Sequence, residues 1–168
     1  MAHPGFDRSR IQPAPLGERT NRVFIEEHHV PADASPVPLG EQAPVLAEAV
    51  ARIRDAQAHD RPVVLAFGAH TIKNGLAPVL QKLVRDGWVT HLATNGAGVI
   101  HDWEFAFLGA SSEHVEANVK EGKFGIWHET GHYINLALNI GAFRGLGYGE
   151  SVGALIHDDG LDVPGVEE

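Results

Sequence analysis

His128, Glu129 and His132 spell H-E-x-x-H within the stretch WHETGHYIN. On a helix the two imidazoles fall one turn apart on a shared face, as a zinc ion requires, and the glutamate is placed as a general base for amide hydrolysis. That chemistry needs a third ligand, and Glu150 and His157 are the downstream candidates, although neither lies in a zinc-peptidase context. Gly131 weakens the helix that should present the motif. Eleven histidines in 168 residues also make a chance match easy. Zinc proteolysis is therefore the less favoured expectation, helix-surface residues are the default, and no metal ligands are assigned.

A second set of residues is better placed by its surroundings. GAHTIKNG (68–75) and TNGAGVIHD (94–102) are both rich in glycine and small polar residues. RPVVLAF precedes the first, a short apolar run without alternation, as expected for a strand buried on both faces. WVTHLAT leads into the second and reads as another strand. Between the two loops LAPVLQKLVRDG carries Leu76, Leu80, Leu83 and Val84 at helical spacing, with Gly87 placed to stop the helix. Strand, loop, helix and strand form a βαβ unit, which requires parallel pairing and a right-handed crossover.

Ligands of open parallel sheets bind beyond the carboxyl ends of the strands. Lys73, Asn74, Thr94, Asn95, His101 and Asp102 are expected to converge there, and glycines let backbone amides approach a ligand at helix N-termini. Turn chemistry alone accounts for part of the Gly and Asn content. His101 beside Asp102 is a candidate general base. Adjacent helical residues do not face each other, so one of the pair is expected to cap a helix instead. The glycines of RGLGYGESVG resemble a dinucleotide fingerprint only superficially, because a helix precedes them, and helix-start chemistry is the better reading.

Around this centre the organisation is uneven. Residues 1–40 contain six prolines among polar residues and read as an extended arm, with RVFIEEHHV as the one segment suited to a strand or to docking. A helical period starts at Glu41 and places Leu46, Ala49, Val50, Ile53 and Ala56 on one stripe. After Gly98 no strand is expected, and 112–121, 128–141 and 149–157 read as helices. Two or three strands make a thin parallel sheet. The chain is thus expected to complete its sheet in an oligomer, or to be one part of a longer protein.

The composition is that of a globular chain with a single core-forming domain. The net charge of −9 and the lack of a basic stripe argue against nucleic acid. There is no cysteine, and no apolar run is long enough for a membrane span, so a cytoplasmic location is expected.

The stretch LAFGAHTIKNGLAPVLQKLVRDGWVTHLATNGAGVIHDWEFAFLG (65–109), with the later ETG, resembles the deoxyhypusine synthase superfamily. It is most similar to the bacterial deoxyhypusine-synthase-like proteins of unassigned substrate, over most of residues 41–157. The resemblance implies a three-layer Rossmann-like α/β fold, NAD as cofactor and a homotetramer acting on a small molecule. It divides the chain into an arm (1–40), the N-terminal part of an NAD-binding domain (41–160) and a tail (161–168).

Gly68, Ala69, His70, Thr71 and Asn74, with Lys73, then belong to the first nucleotide-binding loop, and Thr94, Asn95, Gly96, Ala97 and Gly98 to the second. His101, Asp102 and Lys73 are the implied catalytic residues, and Thr130 and Gly131 take a turn or cap role at a helix start. The authentic synthase has two consecutive glutamates before the aspartate, where this chain has Ile100 and His101. A substrate other than spermidine is implied. The family's aminobutyl-accepting lysine lies in a C-terminal half with no counterpart here, so a non-catalytic module that completes its fold with a partner is the alternative.

Overall fold

Proline at the starts of two helices, a left-handed residue just beyond each of their ends (Asp60 and Gly87) and short β-branched runs between them set much of the local structure. The computed structural model describes residue 5 and residues 7–160, apart from the side chain of Arg8. The expected tail at 161–168 lies outside the described residues. In chain order the elements are β1 (Asn21–Phe24), α1 (Ile25–His28), α2 (Ala43–Ala58), β2 (Val64–Ala66), α3 (Ala69–Lys73) and α4 (Ala77–Arg85). They continue with β3 (His91–Ala93), α5 (Gly96–Leu108), β4 (Ala110–Glu113), α6 (Val115–Lys120), α7 (His128–Phe143) and α8 (Tyr148–Asp158). The chain is of mixed α/β character. None of the described helices is long and apolar enough to cross a membrane.

The chain divides into two compact units, Val23–Asp102 and Met1–Arg22 with Trp103–Glu168. The first contains the expected βαβ. β2 and β3 pair in parallel, with Val64 opposite His91, Leu65 opposite Leu92 and Ala66 opposite Ala93. Thr90 extends the pairing, because its hydroxyl accepts from the Val63 N–H at 2.9 Å. α4 begins with proline in its first turn, where the missing N–H costs nothing, and ends before Gly87 at φ 75°. Its Leu80 is buried together with Ile72 and Val89.

Three expectations for this unit need correction. GAHTIKNG is not wholly a loop, since Ala69–Lys73 closes one helical turn. β2 is not buried on both faces: Val64 is 62% exposed and Leu92 on its neighbour 46%. The physical reason is that each strand has a single partner among the described residues, and both sides of a parallel strand are covered only when further strands and helices flank it. The helical stripe of α2 is present, yet none of its residues is buried.

Within the same unit, the segment after α1 is held against the turn between α3 and α4. The Val30 N–H donates to the Gly75 carbonyl at 3.0 Å, and the His28 carbonyl lies where a Cβ on Gly75 would be. Gly75 also has φ 80°. Only glycine meets both demands.

The second unit is built mainly from helices. α7 buries Ile134, Ala137, Ile140 and Gly141 along one stripe and packs on α8 through Ser151 and Val152. α8 starts as the glycine-rich segment suggested, with the Glu150 carboxylate accepting from the Gly147 N–H at 2.8 Å.

β4 contradicts the expectation that no strand follows Gly98; it pairs with β1, whose Asn21 and Arg22 belong to this unit. Its sequence, ASSE, has no β-branched or aromatic residue to signal a strand. The helix expected over 112–121 is correspondingly shorter. β1 does form within the arm, but as the partner of β4 and not as a third strand beside β2 and β3.

Candidate functional site

In the unit Val23–Asp102 both parallel strands leave the sheet at the same edge. After Ala66 the chain passes Phe67 and Gly68 into α3, and after Ala93 it passes Thr94 and Asn95 into α5. The Phe67 N–H still donates to the Ala93 carbonyl at 2.9 Å, which holds the two exits side by side. Helical geometry leaves the first N–H groups of α3 and α5 without intrahelical acceptors, and these belong to Ala69, His70, Gly96 and Ala97.

Asn95 starts α5. Its side-chain carbonyl and its backbone carbonyl both accept from the Gly98 N–H at 3.0 Å. Gly98 is buried because Thr94 folds over it, and the Thr94 hydroxyl occupies the place of a Cβ. Gly68 has open space at the corresponding point. This edge therefore combines a closed second turn with an accessible first one.

The remaining site residues are distributed along the same two segments. Gly68, His70, Asn74, Thr94, Asn95, Gly96 and Ala97 are exposed, while Ala69, Thr71 and Lys73 are half-buried. His101 and Asp102 lie in the middle of α5, so the expected capping role for one of them is wrong and Asn95 performs it. His101 is half-buried.

Asp102 keeps solvent-accessible surface, yet loss of water around its carboxyl raises its pKa above the ordinary carboxylate value. A cavity of about 320 Å³ in this unit lies at the opposite, amino-terminal edge of the strands, between Asp60–Val63 and Thr90–His91. It is flanked by the Thr90–Val63 hydrogen bonds and contains none of the expected site residues.

The other unit contains polar chemistry that the sequence reading missed. Arg19 and Glu104 form a bidentate ion pair, Nη1 to Oε1 at 2.7 Å and Nη2 to Oε2 at 2.8 Å, with both side chains almost wholly buried. Glu104 also accepts from the Ser111 hydroxyl, and from the Thr130 hydroxyl at 2.9 Å. Arg19 Nε donates to Asn21 at 2.8 Å, and the guanidinium carbon lies 5.6 Å from the centre of the Trp127 ring. Every strong acceptor on the Glu104 carboxylate is therefore occupied. Glu104 had a sequence signal, a lone carboxylate between Trp103 and Phe105. Arg19 had none, because its partner is 85 positions away. Above Arg19 and Trp127 a cavity of about 390 Å³ opens, rimmed by Glu18, Asn118, Glu121 and Lys123.

The H-E-T-G-H segment forms the first turns of α7 without a break at Gly131, and Trp127 precedes it as the cap residue. Thr130 is not a capping group; its hydroxyl serves Glu104. The Glu129 carboxylate accepts from the Leu16 N–H at 2.6 Å, the main reason its pKa lies below the ordinary carboxylate value. Its own N–H and the nearby His128 act in the same direction. Glu150 is engaged at the start of α8. Among the described residues no group of three or more His, Asp or Glu side chains is arranged to hold a metal ion.

Compared with protein-family models, curated proteins and solved structures, the chain matches none.

Proposed function

We propose that the unit Val23–Asp102 is a nucleotide-binding α/β module of the deoxyhypusine-synthase-like kind, taking NAD at the carboxyl edge of β2 and β3. The observation that carries this reading is the parallel register of the two strands, with α3 and α5 both starting from that one edge. Two helices that start from one edge would offer their first N–H groups to a pyrophosphate, and the open space beside Gly68 would let the ligand come close to the backbone. When bound, NAD would supply a hydride acceptor for a small substrate.

The chain's own residues would position and deprotonate that substrate. The N–H groups of Ala69, His70, Gly96 and Ala97 face the anionic part of the ligand, and Thr71, Asn74, Thr94 and Asn95 add side-chain contacts. The raised pKa of Asp102 brings its carboxyl closer to the working range of a general base at neutral pH. His101 is the second candidate for that proton, and Lys73, in the last turn of α3, contacts polar groups of the ligand. Ile100 and His101 provide no carboxylate pair for a polyamine, so the substrate is not spermidine.

The exposed Val64 and Leu92 and the unburied stripe of α2 favour a second copy of the chain, or a partner segment, completing the sheet. Thermal unfolding in the presence of NAD tests the assignment. Millimolar NAD is expected to raise the melting temperature by a few degrees, in proportion to the logarithm of its concentration, and Lys73→Ala is expected to reduce the shift. No shift at that concentration would remove the reading.

A further inference from the structure

His128 and His132 are left without a role by that function, and their geometry is specific. They lie one turn apart near the start of the sixteen-residue α7, and both are exposed. Their rings are 5.4 Å apart between centroids and inclined by only 11°. Two imidazole nitrogens converging on one cation at about 2.0–2.1 Å place the ring centroids roughly 5 Å apart, close to the observed spacing; because the two rings stack nearly parallel, each turns about its Cβ–Cγ bond to bring a nitrogen onto the shared cation.

One of the rings also has aromatic neighbours. Tyr133 meets His132 edge-on at 5.2 Å and 75°, and Tyr133 itself packs on Trp103 at 5.9 Å and Phe107 at 5.7 Å. An aromatic cluster thus flanks the His132 ring. Glu129 is turned to the Leu16 N–H and does not compete for the position between the rings.

We infer that His128 and His132 form a bidentate site for a divalent transition-metal cation of the zinc class, completed by water and without peptidase activity. Imidazole nitrogen suits such cations, and the chain's net charge of −9 favours cation binding generally. Proteolysis of the zinc-peptidase type needs a third protein ligand and a free general base. The described residues offer no third ligand, and the Glu129 carboxylate is occupied. What remains is a cation site with open coordination positions.

Calorimetric titration of the metal-free full chain with Zn²⁺ near neutral pH tests this. One saturable Zn²⁺ per chain is expected, with His128→Ala and His132→Ala each weakening it about tenfold or more, because either change destroys the chelate. Glu129→Gln and His157→Ala are expected to leave it unchanged. Zn²⁺ should raise the melting temperature of the parent chain and not of the His132→Ala chain. Binding of equal strength in the parent and both alanine variants would overturn the inference, as would a loss of binding in Glu129→Gln.

Discussion

The two units differ in what they bury besides apolar side chains. The unit formed by Met1–Arg22 and Trp103–Glu168 buries charge: Arg19 and Glu104 are removed from water and every strong hydrogen-bonding site between them is used. The unit Val23–Asp102 has no such buried ion pair among its described residues; it buries a small apolar set that includes Ile72, Leu80 and Val89, leaves strand residues such as Val64 and Leu92 in solvent, and depends on close backbone geometry at Gly75, Gly87 and Gly98. Buried charge specifies partners, because an unpaired ion in the interior is costly. Exposed apolar strand specifies nothing alone and calls for a cover.

The largest expected effect breaks the first half of this contrast. Glu104→Ala leaves the Arg19 guanidinium buried without its counter-ion and should cost about 3–5 kcal/mol. Urea unfolding monitored by tryptophan fluorescence measures it, and Arg19→Met on the same background should recover part of the loss. The second prediction addresses the other unit. Gly75→Ala meets the His28 carbonyl and must adopt φ 80°, so about 2–4 kcal/mol is expected from crowding and backbone strain together. Chemical denaturation checks this, and an unchanged midpoint would mean that the segment around His28 is not held as described.

The smallest effect is a matter of pH. Glu129 has a depressed pKa in the folded chain, chiefly through the Leu16 N–H, so its charge stabilises the fold above the ordinary carboxylate value. That contribution is lost as pH falls through the depressed value. Glu129→Gln should therefore lower the urea midpoint at neutral pH, with the gap to the parent chain closing on acidification. A gap that is independent of pH would show that the carboxylate's charge plays no part.

Much of the local structure was legible in the sequence because it depends on neighbours in the chain. The 3.6-residue period of Leu76, Leu80 and Leu83 marked α4, Gly87 marked its end, and the glycines before Glu150 marked the start of α8. The βαβ order followed from these elements and put the expected nucleotide loops at one edge. What escaped depends on distant partners. β4 consists of Ala, Ser, Ser and Glu, residues that become a strand only because β1 lies beside them. Thr130 and Ser111 look like ordinary surface residues until Glu104 is brought to them. The burial expected for β2 failed for the complementary reason: an apolar run records what a strand requires, and not whether this chain supplies it.

The Arg19–Glu104 pair also orders events during protein synthesis. Arg19 emerges first and must remain without its counter-ion until 85 more residues have been added, roughly 4–17 s at ordinary elongation rates of about 5–20 residues per second. Leu16 waits longer still for Glu129, which lies 113 positions ahead. All of Val23–Asp102 lies between Arg19 and Glu104 in the chain, so it is synthesised before that pair can close. Both long-range contacts therefore close only after the intervening chain, the whole of Val23–Asp102 included, has been made.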